Sequence, residues 1–176
     1  RSDALVPRTL GQAGSFLIGM WLALLLVQPL GTAAKAAQNP AETAALEATL
    51  HTAINELRAE QGLVRLQRDA ALDAVARAHS EDMAARHYLA HETPEGLTPP
   101  ARMKRAGVVG YTLAGENVGT TTRSNPNREI VSAWMASTVH RDNILAPAFN
   151  ATGIGIALSG DGTYYFTQIY GTRPRR

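Results

Sequence analysis

The sequence predicts an α+β fold: apolar residues recur at helical spacing early in the chain and at strand spacing late in it. Between the two, prolines and capping residues punctuate short segments. Helices followed by strands, rather than alternating with them, argue against a wound parallel sheet. The 176 residues, 45% of them hydrophobic, suit one domain with a real core, and neither an internal repeat nor a low-complexity tract is present.

The first element is an apolar run, Phe16 to Val27, preceded by Arg1 and Arg8 and broken by Gln28, Pro29 and Gly31. That order predicts a signal peptide. Small residues at both recognition positions of Ala34-Lys35-Ala36 place cleavage near Ala36, so residues 1–36 are read as signal and the mature chain as starting at Ala37. The alternative is an uncleaved N-terminal anchor, but the 12 apolar residues fall short of the ~20 that span a bilayer, and no membrane span is expected after cleavage. The expected location is secreted or extracytoplasmic, in the cell envelope or periplasm.

The sequence pI of 9.2 does not signal a nucleic-acid partner. Residues 1–36 carry Arg1, Arg8 and Lys35 of the 17 cations and Asp3 of the 15 acids, which leaves the remainder balanced at 14 of each. Residues 172–176 form a basic tail, read as a chain end rather than a binding arm. With no cysteine in an exported chain, packing or a bound ion must stabilise the fold.

Residues 37–44, rich in Ala, Asn and Pro, read as a short leader into a domain at 45–171. A first helix carries Leu46, Leu50, Ile54 and Leu57 and stops at Gly62. A second runs from Ala70 toward Tyr88, capped by Asp69, with Leu72, Val75, Ala76, His79 and Met83 on one face. Thr98-Pro99-Pro100 starts a third, short helix that Gly107 closes. A strand is expected between Tyr111 and Thr122, then a fourth helix capped at Asn125-Pro126 or Asn127, with Ile130, Val131, Trp134 and Met135 as its stripe. Ala151 to Gly171 reads as strand, Gly160-Asp161-Gly162 turn, strand.

Five histidines invite individual weighing. His51 suits a solvated helix face, His79 a satisfied core position, and His87 a helix C-terminus, where positive charge is favourable. His91 sits instead in the loop Ala90 to Gly96, Glu116 between the small Gly115 and Asn117, and His140 at the end of Ser137-Thr138-Val139-His140, read as the close of the Trp134 helix. Imidazole and carboxylate at three element ends are the donor types of a zinc site with an open position, although no local HExxH pair exists. Equally, Glu116 could accept hydrogen bonds from the histidines, with Asn117 and Arg141 tying strand to helix, for stability alone.

The runs Ala78-His79-Ser80-Glu81-Asp82-Met83-Ala84, Gly115-Glu116-Asn117-Val118, Trp134 to Leu145, and Gly153-Ile154-Gly155 with Phe166-Thr167-Gln168, together with His91, resemble the CAP superfamily of SCP-like or PR-1-like domains, and most closely its bacterial secreted branch. The resemblance covers residues 45 to 171. It implies an α-β-α sandwich, an antiparallel sheet flanked by helices, and a cleft in which members place two histidines and two glutamates able to bind a divalent ion. His91 matches the first histidine and Glu116 the first glutamate. Ser137 stands at the second glutamate's position and Tyr165 at the second histidine's, while His140 lies in the Ser-x-x-His-Arg motif of bacterial members.

The resemblance therefore implies a binding module whose His91, Glu116 and His140 could hold a divalent metal such as zinc, with a small apolar or cell-envelope ligand, or a protein partner. The alternative is a hydrolase, peptidase-like or esterase-like. With zinc, Glu116 would be a ligand or a base; without it, Ser137 would be the nucleophile and His140 its base. No carboxylate is placed to orient His140 and no nucleophile elbow presents Ser137, so the binding reading is preferred.

Overall fold

A computed structural model describes residues 39–174. The apolar run at 16–27, the Ala34-Lys35-Ala36 site and the last two arginines of the basic tail lie outside the described residues.

Helix α1, Pro40–Glu60, begins inside the stretch read as a leader. Asn39 accepts the Ala41 N–H through its side chain, and Pro40 occupies the first helical position, where its missing N–H costs nothing. The end is as expected: Gly62, at φ +67°, donates to Ala59 O at 2.9 Å while Leu63 N donates to Arg58 O at 2.9 Å, the paired bonds of a Schellman motif. After the two-residue strand β1, Gln67–Arg68, helix α2 spans Ala70–Arg86, with both Ala71 N and Leu72 N donating to the Asp69 carboxylate. Thr98 caps α3, Pro99–Arg105, and Asn125 caps α4, Pro126–Ala136. Between these lies β2, Leu113–Thr121.

Ser137 is extended (φ −97°, ψ 122°), and it separates α4 from a fifth helix, α5, Thr138–Leu145. His140 therefore lies in the first turn of α5, not at the end of the Trp134 helix. No glycine or proline marks this break in the sequence. The chain closes with β3, Ala151–Leu158, and β4, Tyr164–Thr172.

The sheet order is β1-β3-β4-β2. The three long strands pair antiparallel, and β1 adds a short parallel edge beside Ala151 and Thr152. Alternation along each strand divides the side chains between two layers. On one face Ala151, Ala157, Tyr165, Ile169 and Val118 pack with the buried stripe of α2 and with Met103 of α3. On the other, Ile154, Ile156, Phe166 and Tyr170 pack with Leu50 and Ile54 of α1, Ile130 and Trp134 of α4, and Ile144 of α5. Helices thus cover both faces, which makes the expected α-β-α sandwich.

Gly153 and Gly155 explain how α2 lies so close to the sheet. A Cβ at Gly153 would sit 2.2 Å from Leu72 C, and one at Gly155 2.1 Å from Arg77 N, so helix backbone rests on strand backbone with no side chain between them. On the opposite side Arg58 is fully buried. It donates to the carbonyls of Val64, Ile144, Ala146 and Phe149, which joins the end of α1 to the segment after α5.

Candidate functional site

Three elements converge on Glu116. Strand β2 presents it on the α2–α3 face, with 6% of the residue exposed. The loop after α2 brings His91, whose Nδ1 lies 2.9 Å from Glu116 Oε1. Helix α3 brings Arg102, whose Nη2 donates to Glu116 Oε2 at 2.6 Å and to His91 O at 3.0 Å. Both carboxylate oxygens are therefore engaged, and the guanidinium, 9% exposed, supplies a charge-assisted bond at the short end of the range. The α2–loop and α3 are joined through the same cation.

His91 is the open member, with 49% of its side chain exposed. Its hydrogen bond to Glu116, and then the carboxylate's charge, raise its pKa above the ordinary 6.5 against opposing burial and the Arg102 charge. Since Nδ1 faces an acceptor it carries a proton, and Nε2 is the nitrogen left for other partners.

The adjacent residue points the other way. Asn117 Nδ2 donates to His140 O at 3.0 Å and to Tyr170 Oη at 3.2 Å, and it receives Asn143 Nδ2 on its own oxygen at 2.9 Å. Asn143 also donates to Glu116 O at 3.1 Å. From Tyr170 the chain continues inward to Gln168 and Thr152, all of them buried. Gly115 leaves room for this approach, because a Cβ there would meet Asn143 Oδ1 at 3.0 Å. Asn117 and Asn143, rather than Arg141, tie β2 to α5; Arg141 reaches only Met135 O, at 3.4 Å.

This alternation separates the anticipated residues. His91 and Glu116 are bonded to each other, whereas α5 is held to β2 through Asn117 and Asn143, and the His140 ring bonds to neither His91 nor Glu116 although it lies within reach of the His91 charge. The His140 ring is half-buried, has no hydrogen-bond partner among the described residues, and has its pKa lowered by burial and by His91. Ser137 precedes α5 without making a capping bond, and its hydroxyl is not bonded to His140.

Of the remaining histidines, His79 is buried as expected, with Nε2 donating to Ala90 O at 2.9 Å. His87 ends α2 in a left-handed conformation. His51 is half-buried rather than fully solvated, and its Nε2 lies 2.8 Å from Leu66 O.

Arg102 is the member that sequence reasoning missed. The only available signal was its place on a proline-capped helix between the His91 loop and the Glu116 strand.

The family model for the cysteine-rich secretory protein family, CAP, matches residues 51–170. The chain belongs to the CAP family. Among its CAP relatives, the uncharacterized protein YkwD of Bacillus subtilis (strain 168) is 39% identical over 121 residues, 69% of this chain and 46% of the relative. The uncharacterized membrane protein YlbC of the same organism is 31% identical over 111 residues, 63% of this chain and 30% of the relative. The chain thus spans less than half the length of these relatives. Among solved structures, an extracellular protein containing a SCP domain from Bacillus anthracis superposes with a TM-score of 0.67 at 27% identity, over 76% of this chain and 44% of that one. An outer surface protein from Borrelia burgdorferi superposes with a TM-score of 0.68 at 22% identity, over 75% of this chain and 96% of that one, which is a likeness of fold.

The divalent ion implied by the CAP resemblance does not fit these residues as arranged. Among the described residues no group of three or more His, Cys, Asp or Glu is placed to hold one. His140 is not gathered with His91 and Glu116, and the Arg102 cation already occupies the second oxygen of Glu116. A second cation there would displace it or repel it.

Proposed function

We propose that this CAP domain is an extracytoplasmic binding module that holds a cell-envelope ligand at the open side of His91. The observation that carries this reading is the His91–Glu116–Arg102 arrangement: an exposed imidazole oriented by a buried carboxylate that is itself held by a buried guanidinium. Such a ring is fixed in direction, and the Glu116 hydrogen bond that raises its pKa favours its cationic form. It is suited to an oxygen acceptor or an anionic group on the ligand, bound more tightly as the ring protonates. Extracytoplasmic placement is supported by the apolar run at 16–27 and by the extracellular SCP-domain relative. Among the described residues no helix is long and apolar enough to cross a membrane.

Hydrolysis finds less support in the arrangement. Glu116 would have to release Arg102 before acting as a base, and Ser137 lacks a hydrogen-bonded base.

The test is calorimetric titration with a soluble peptidoglycan fragment, a disaccharide-tetrapeptide. Saturable binding that weakens as pH rises through the His91 pKa, and that is lost in His91→Ala, is expected. Binding unchanged in that variant, or no binding by the folded protein, would overturn the proposal.

A further inference from the structure

The loop between α2 and α3 carries His91, yet residues 89–92 make no backbone–backbone hydrogen bond among the described residues. On either side the chain is fastened: Tyr88 N donates to Met83 O at 3.2 Å, and Thr93 N donates to Leu97 O at 3.2 Å. Between these points two side chains reach the main chain. His79 of α2 places Nε2 2.9 Å from Ala90 O, and Arg102 of α3 donates to His91 O at 3.0 Å. Those carbonyls belong to consecutive peptide planes, one before the His91 Cα and one after it. Each plane is rigid, so holding both restricts φ and ψ of His91 and with them the direction of its Cα–Cβ bond.

The bond to Ala90 is the single hydrogen bond of the His79 side chain, whose Nδ1 has no partner among the described residues. The residue is 1% exposed. A buried imidazole with one unmet nitrogen is less favourable than an apolar ring of similar size, so packing alone does not account for it. Its chemistry suits the bond. The Ala90 carbonyl only accepts, so Nε2 carries the proton, and burial, then the Arg102 charge, disfavours a second proton on the ring. Its place is fixed by α2, whose backbone rests on Gly153 and Gly155, and by Tyr88, whose ring meets it edge-on with centroids 6.1 Å apart. Arg102 sets the His91 carbonyl and the Glu116 carboxylate relative to each other, whereas His79 refers the loop to α2.

We propose that His79 is a positioning residue for the ligand-facing ring of His91: its hydrogen bond to Ala90 O aims that ring so that Nδ1 meets Glu116 and Nε2 is left to the ligand. The inference rests on the reading of His91 as the group that meets a ligand.

The test reads imidazole tautomers from ¹⁵N signals of the full chain, without ligand and above the His91 pKa. The Glu116 bond holds the His91 proton on Nδ1, and a ring released from it distributes the proton over both nitrogens. In the unsubstituted chain His79 itself should be the Nε2–H form; Nδ1–H there would overturn the proposal. His79→Phe keeps a ring and removes the donor, and is expected to turn the His91 Nδ1–H form into a mixture. His79→Gln retains an N–H donor and should keep more of the Nδ1–H form than His79→Phe does. Arg58→Lys, which weakens the fold from the other side of the sheet, should leave the tautomer unchanged. A pure Nδ1–H ring in His79→Phe, or an equal mixture in Arg58→Lys, would overturn the proposal. In calorimetry with the disaccharide-tetrapeptide, His79→Phe should bind about fivefold more weakly, the worth of one hydrogen bond, and undiminished affinity would overturn it. A tautomer shift without any binding by the unsubstituted chain would end the reading of His91 as a ligand group and leave its positioning by His79 standing.

Discussion

Replacing Glu116 with alanine removes a carboxylate that holds a nearly buried guanidinium at 2.6 Å. Arg102 keeps only the His91 carbonyl on Nη2, while Nε and Nη1 already lack partners among the described residues. The variant thus carries an uncompensated, largely desolvated cation, which costs about 3–5 kcal/mol when a buried pair is broken. His91 loses its hydrogen-bond partner as well, but its exposure keeps that contribution small. For a domain of this size the loss corresponds to a fall in Tm of roughly 10–15 °C. Urea unfolding should show a lower midpoint with unchanged slope. The diagnostic step is the double variant Glu116→Leu with Arg102→Met, which removes both charges and substitutes apolar volume. Its cost is expected to be about 2 kcal/mol or less, so the two single costs fail to add. A Glu116→Ala penalty below about 1 kcal/mol, or additivity across the cycle, would refute the claim that Glu116 neutralises a desolvated cation.

The histidine titrations should separate around 6.5 by NMR, with His91 above it and His79 and His140 below, and Glu116→Gln should return His91 toward 6.5. Linkage gives the sign. The His91 contribution to stability is complete below pH 6.5 and is lost as pH rises through its folded pKa, whereas neutral, buried His79 makes the fold less stable as pH falls below 6.5. Elemental analysis of the purified protein after zinc exposure should show no stoichiometric ion; one zinc per chain that disappears in His140→Ala would contradict the donor-set argument. Arg58→Lys should cost about 2–4 kcal/mol in chemical denaturation, because an ammonium cannot reproduce a fork that reaches four carbonyls. Gly155→Ala should destabilise by at least about 1–3 kcal/mol, because its Cβ meets helix backbone rather than a flexible side chain.

Features set by neighbours in sequence were legible. Asp69, Thr98, Asn125 and Gly62 act within a few residues of themselves, and each stands where capping chemistry places it. The strand–turn–strand close and the sandwich architecture were legible too, the latter through resemblance. Glu116 and His91 were singled out, but their direct bond was only one of the arrangements open to them. What escaped depends on tertiary geometry. Arg102 pairs with a carboxylate 14 residues away because α3 turns it inward, and no local pattern distinguishes it from Lys104 or Arg105. The two residues of β1 are too few to show a period. The extended backbone at Ser137 comes without a glycine or proline, so α4 and α5 read as one helix and His140 was assigned to the wrong element.

The direct seating of α2 on Gly153 and Gly155 makes the two helices beside Glu116, α2 and α3, mechanically unequal. With backbone lying on backbone, α2 has no compressible side-chain layer beneath it and can neither slide nor roll without a steric collision. Helix α3 has only seven residues, contributes the single buried Met103, and is fastened near the site through Arg102. Of the two helices, α2 is the more firmly seated. Arg102 is the link through which the seating of α3 bears on the carboxylate that orients His91.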